Sequence, residues 1–126
     1  MKATRPYGYE LILDVHKCDA SMFTRESLER YFDEICELID MEKCEAHFWD
    51  DIGVPLDERQ TAVHTKGTSA VCFILTSSIV VHTLDLLESV YVNVFSCKPF
   101  QPEPATAFTQ SYFSGTCKKS TFLYRE

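Results

Sequence analysis

Basic charge is scarce in this chain: twelve lysines and arginines stand against nineteen aspartates and glutamates, a formal charge of −7. Counterion release from a phosphate backbone needs clustered cations, so nucleic acid is not an expected partner. Long apolar runs are missing too. None reaches the roughly 18–20 residues that cross a bilayer, and residues 1–7 have no apolar middle of the kind a signal peptide carries. The expectation is a cytoplasmic protein with no membrane partner.

Motifs with a fixed chemistry are absent as well. There is no G-x-x-x-x-G-K-[ST] phosphate loop, no G-x-G-x-x-G, no H-E-x-x-H and no G-x-S-x-G elbow. The four histidines (16, 47, 64, 82) and six cysteines (18, 36, 44, 72, 97, 117) lack zinc-like spacing and contain no C-x-x-C pair. No metal is expected, and in a reducing compartment the cysteines read as free thiols, mostly buried. No repeat, low-complexity tract or linker divides the chain.

What is present is enough apolar surface to fold, with 45% hydrophobic and 13% aromatic residues in 126. That length predicts a single domain, residues 1–126. Strands are expected over residues 9–15, 44–49, 70–75, 79–81, 91–95 and 120–124, from their alternation and β-branched content. Leu28, Tyr31, Phe32, Ile35, Leu38 and Ile39 recur at helical spacing behind Thr24, an N-cap type of residue. A second helix is expected over 105–112, with prolines before it or in its first turn and Gly115 ending it. Residues 50–66, rich in charge, read as a surface loop. The fold class that follows is α+β: a two-layer α/β sandwich, mostly antiparallel, with two main helices on one face.

Polar groups interrupt the apolar segments in one region, where Ser69, Ser77, His82 and Cys97 sit on short strands that need none of them. An unpartnered buried hydroxyl or imidazole costs roughly 1–3 kcal/mol. On chemistry alone each has an ordinary reading: strand-end serines bonded to backbone, a hydrogen-bonded histidine and a buried thiol. Thr76-Ser77-Ser78 reads as a polar break between two apolar runs.

Gly8-Tyr-Glu-Leu-Ile-Leu-Asp14 with Cys18-Asp19, Gly67-Thr-Ser69, the spacing from Ser77 to His82-Thr83, and Phe95-Ser-Cys97-Lys-Pro-Phe100 together resemble the short prokaryotic type of S-adenosylmethionine decarboxylase. The resemblance implies a self-processing enzyme whose pyruvoyl cofactor is made from Ser77. Its hydroxyl would attack the Thr76 carbonyl, and cleavage between Thr76 and Ser77 would give a β chain, 1–76, and an α chain, 77–126. It further implies that His82 assists processing, Ser69 supports it, and Cys97 is the proton donor in catalysis. The pyruvoyl ketone would take the substrate amine as a Schiff base and act as an electron sink, so no pyridoxal phosphate is required. A homodimer with active sites near the interface is implied too.

The pattern also departs from the family. Thr76 and Ser78 stand where Glu and His are usual, and Asn93 stands where an Asp is usual. Leu84-Asp85-Leu86-Leu87-Glu88 replaces an aromatic-Pro-Glu segment whose Glu holds the substrate ribose, which leaves Asp85 or Glu88 as the substrate-binding carboxylate. The expected function is decarboxylation of S-adenosylmethionine to the aminopropyl donor for spermidine. The alternatives are a pyruvoyl-dependent decarboxylase of ornithine or arginine, and an uncleaved, non-catalytic homologue that serves as a partner subunit.

Overall fold

Apolar residues at every second strand position line one side of a sheet, and the computed structural model, which describes residues 5–126, folds on that pattern. β1 (Gly8–His16) leads to α1 (Arg25–Leu38) and β2 (Lys43–Trp49). Then come β3 (Ser69–Ile74), β4 (Ser77–Leu84), β5 (Ser89–Ser96), α2 (Pro102–Tyr112) and β6 (Thr116–Arg125). The strands form one six-stranded sheet, ordered β2-β3-β4-β5-β1-β6, with every neighbouring pair antiparallel. This is the expected two-layer α+β sandwich. Among the described residues, no helix is long and apolar enough to cross a membrane.

The buried row runs through Leu11, Leu13 and Val15, then Ile79 and Val81, then Val90, Val92 and Val94. Against it α1 sets Leu28, Tyr31, Phe32 and Ile35, all fully buried, and begins where the Thr24 side chain accepts the Ser27 amide at 3.1 Å. The helices meet at a buried polar contact. The Thr109 hydroxyl donates to the Ala105 carbonyl at 2.8 Å, so the Tyr31 hydroxyl, 2.7 Å away, is the donor to Thr109 Oγ1. Burial raises the pKa of Tyr31 and keeps it a neutral donor.

Several boundaries differ from expectation. β6 is twice the expected length because its whole outer row pairs with β1 rather than only its apolar core. α2 starts three residues early because Pro102 and Pro104 fit its first turn, where no amide partner is needed. The polar break between the two apolar runs shrinks to Leu75 and Thr76. Ser77 and Ser78 are already in β4, opposite Ile74 and Phe73.

Gly67 fixes the approach of the 50–66 loop to the sheet. A Cβ there would run into the Thr83 carbonyl and its backbone, so only glycine permits this closeness. Just beyond it the Thr68 amide and carbonyl are both bound by the Thr83 side chain, at 3.0 and 3.2 Å. Gly67→Ala should therefore destabilise the fold by about 2 kcal/mol or more, read as a lowered denaturant midpoint. An unchanged midpoint would show that the loop approaches the sheet differently.

Candidate active site

At one end of β4, the two-residue turn Leu75-Thr76 delivers Ser77 next to the end of β5. Its side chain lies in the buried row with Ile79 and Val81 and is 8% exposed. The Cys97 amide donates to Ser77 Oγ at 3.1 Å, and the Ser77 hydroxyl points at Cys97 Sγ, 3.7 Å away. Thr76 Oγ1 lies 3.2 Å from the same sulfur. These hydroxyls, Thr76 first and Ser77 second, hold the Cys97 thiol below its ordinary pKa by hydrogen bonding the thiolate. Cys97 is exposed and not the buried thiol of its ordinary reading, because it follows the last residue of β5, where the sheet no longer covers it.

Ser77 and Cys97 open into a cavity of about 530 Å³ formed with the end of α1 and the segment after it. Its rim carries Glu37, Asp40 and Glu42, and Lys98 reaches the Asp40 carboxylate at 2.8 Å and its carbonyl at 2.6 Å. The balance is acidic, suited to a cationic ligand. The Thr76–Ser77 segment is also reachable from the other side of the sheet, through a groove flanked by Phe73 and Phe95.

Ser69 and His82 form a second pair. They are register partners across β3 and β4, with Ser69 Oγ and His82 Nδ1 2.7 Å apart. His82 is five residues from Ser77 along an extended strand, about 17 Å. An odd step also turns it to the opposite face, the one the helices do not cover. The structure thus brings Ser77, Thr76 and Cys97 together and Ser69 to His82, but it does not bring the two groups together within one chain.

Asp85 and Glu88 join neither group. Asp85 continues the inward row beyond Thr83 into a cleft beside Phe23, Arg25 and Lys66, facing away from His82. Glu88 is exposed in the turn between β4 and β5, and its carbonyl accepts the Cys18 amide at 2.8 Å. The residues that share a cavity with Ser69 and His82 include Trp49, Asp51 and His64. Trp49 is 79% exposed and pairs with Ser69 across β2 and β3. Sequence reading missed Asp51 and His64 because loop 50–66 carries no periodicity that would place it over a strand, and Trp49 because a strand-end aromatic reads as ordinary sheet surface.

One Asp85 carboxylate oxygen is buried without a hydrogen-bond partner, and desolvation, only partly offset by Lys66, raises its pKa. A raised carboxyl pKa adds stability that is complete below the unfolded value near 3.8 and is lost as pH rises through the folded value. Asp85→Asn should therefore stabilise the chain at neutral pH, with the gain fading toward about pH 4. Denaturation midpoints across that range measure it. A variant equally or less stable than the parent at pH 7 would mean that the orphaned oxygen has a partner in solution.

The family model for S-adenosylmethionine decarboxylase matches residues 9–126. The crystal structure of the adenosylmethionine decarboxylase from Aquifex aeolicus VF5 is similar in fold, with a TM-score of 0.71 over 97% of this chain and 92% of that one, at 16% identity. No individually curated protein matches. With the match running from β1 through β6 and taking in both the Ser77–Cys97 and the Ser69–His82 groups, the chain belongs to the S-adenosylmethionine decarboxylase family.

Proposed function

We propose that this chain is a cytoplasmic, pyruvoyl-dependent decarboxylase of S-adenosylmethionine that forms the aminopropyl donor for spermidine. Its cofactor would arise from Ser77 by cleavage into a β chain, 1–76, and an α chain, 77–126. The observation that carries this reading is the Ser77 hydroxyl, held by the Cys97 amide at 3.1 Å at the first residue after a two-residue turn. A serine destined to become a chain terminus suits that position. Parting the chain at Thr76–Ser77 removes only a turn and leaves the β3–β4 ladder intact.

Each residue has a task that its surroundings support. The Cys97 amide fixes the Ser77 side chain, and the free hydroxyl proton points at Cys97 Sγ. Once formed, the pyruvoyl carbonyl supplies the electron sink for loss of CO₂. Cys97 Sγ, with its lowered pKa, is the acid that returns a proton to the decarboxylated carbon. The acidic rim of Glu37, Asp40 and Glu42 favours a substrate with a positive centre.

His82 is too far along its own strand to assist Ser77. The reading therefore includes a homodimer in which the uncovered sheet faces meet and Ser77 is served by His82 of the partner subunit. The uncovered face carries the half-exposed apolar side chains of Ile12, Val71, Val80 and Tyr91, together with Phe73, which suits burial against a second copy. Complementation tests this. Ser77→Ala and His82→Ala should each stay intact alone, whereas coexpression should restore cleavage of the His82→Ala chain, seen by intact mass. If the wild type cleaves and the mixture does not, the shared site is wrong; if the wild type stays intact, the uncleaved partner-subunit reading replaces this one.

A second substrate class is favoured by two observations. Leu86 stands in the place of the family's ribose-binding Glu and is 54% exposed, and Asp85 faces away from His82. With three carboxylates around the Ser77 cavity, ornithine or arginine is the competing substrate. Release of CO₂ by cleaved protein should be fastest with S-adenosylmethionine. Faster release from ornithine or arginine would invert the assignment and leave the pyruvoyl chemistry standing.

A further inference from the structure

We infer that Thr76 drives the scission of its own peptide bond: the β3–β4 turn holds this β-branched residue in the left-handed region, and attack by Ser77 releases it. The inference rests on the self-cleavage proposed above. Five non-glycine residues have positive φ among those described: Lys17, Asp40, Thr76, Glu88 and Ser114. Asp40 and Ser114 fall just past α1 and α2, where a left-handed residue closes a helix at ordinary cost. Lys17 and Glu88 are unbranched at Cβ. Thr76, at φ 51°, is the one with a branched Cβ, which crowds the flanking backbone in this region.

Several contacts prevent relaxation. Ile74 and Ser77 are register partners, so the loop has only Leu75 and Thr76 to reverse the chain. Its second position is one that glycine or asparagine fills most cheaply. Slipping the register by one residue would turn Ile79 out of the core and bring Ser78 in, so the ladder cannot yield. Thr76 Oγ1 lies 2.7 Å from the Leu75 carbonyl and 3.2 Å from Cys97 Sγ, and Ser77 Oγ is tied to the Cys97 amide. Strain of this kind persists only where the surroundings over-determine it.

The first chemical step relieves it. Ser77 Oγ bonds to the Thr76 carbonyl carbon, the bond from that carbon to the Ser77 nitrogen breaks, and the hydroxyl proton ends on that nitrogen. Nothing is oxidised or reduced. The path from the Thr76 carbonyl to Ser77 Cα then runs through Oγ and Cβ instead of through one nitrogen, so the turn gains an atom. An amide-to-ester exchange is unfavourable in a relaxed chain, and the released backbone strain offsets part of that cost.

A Thr76 series timed by appearance of the 77–126 fragment during cell-free synthesis tests this. Asparagine tolerates positive φ without the entropic cost of glycine in the unfolded chain. Thr76→Asn and Thr76→Gly should both cleave about tenfold more slowly. Thr76→Ser, which keeps the hydroxyl but loses the branch, should also slow, whereas Thr76→Val keeps the branch and most of the rate. In a Ser77→Ala background, Thr76→Asn should raise Tm by about 4 °C. Stability and cleavage would thus move in opposite directions, as a purely structural residue would not make them do. A rate order that follows the hydroxyl, or Thr76→Asn cleaving as fast as the wild type, overturns the inference alone. A wild-type chain that stays intact overturns the self-cleavage reading and this inference with it.

Discussion

β4 is paired with β3 from Ser77 to His82 on one side, and with β5 from Ser78 to Leu84 on the other, and this double ladder leaves no freedom in where its side chains point. Even steps from Ser77 reach Ile79, Val81 and Thr83, all under the helices; odd steps reach the uncovered face and His82. The same register brings Phe95 opposite Ser78, so Cys97 arrives beside Ser77 as β5 ends. It brings Ser69 opposite His82 at the far end. Both reactive groups are consequences of one pairing, and so is their separation.

Gly67 and Thr83 extend that constraint to the loop. Because no Cβ intervenes, residues 66–68 lie against the β4 backbone, and Thr83 binds Thr68 in both directions. Ser69 therefore enters β3 already aligned with His82. The loop before it brings Asp51 and His64 to the same cavity, with Asp50 anchored to Arg25 by two bonds at 2.6 and 2.8 Å. A part of the chain with no sequence periodicity is thus ordered by contacts at its two ends.

Legibility in the sequence followed periodicity. The alternating segments and the 3–4 spacing of Leu28, Tyr31, Phe32 and Ile35 were enough to give the sandwich and its inward row. Ser77, His82 and Cys97 stood out as polar residues on apolar strands, but their roles came from the family resemblance and not from the pattern. Thr76 was harder to read: three polar residues in a row look like a longer break, and only pairing shows that two of them belong to the strand. Asp85 came from the family pattern rather than from periodicity. Its segment stands where the family carries a ribose-binding Glu, and in the structure Asp85, an even step beyond Thr83, lies on the inner row with its carboxylate turned away from His82.

Ser77 is reached from two sides. Its Oγ faces the helix layer, where the Cys97 amide fixes it at the edge of the acidic cavity, while the turn that carries the Thr76 carbonyl faces a groove between Phe73 and Phe95 on the uncovered side. A nucleophile held on one face of a peptide and a base arriving from the other require two layers, and one sheet with helices on a single face provides only the first. Self-cleavage read this way waits on assembly. On the proposed reading, a lone protomer would keep Ser77 buried, Thr76 at positive φ and the bond intact, and a second copy over the apolar face would supply the histidine. Such a link would keep a chain that has not found its partner from spending the one serine at its β3–β4 turn that is placed to become a chain terminus.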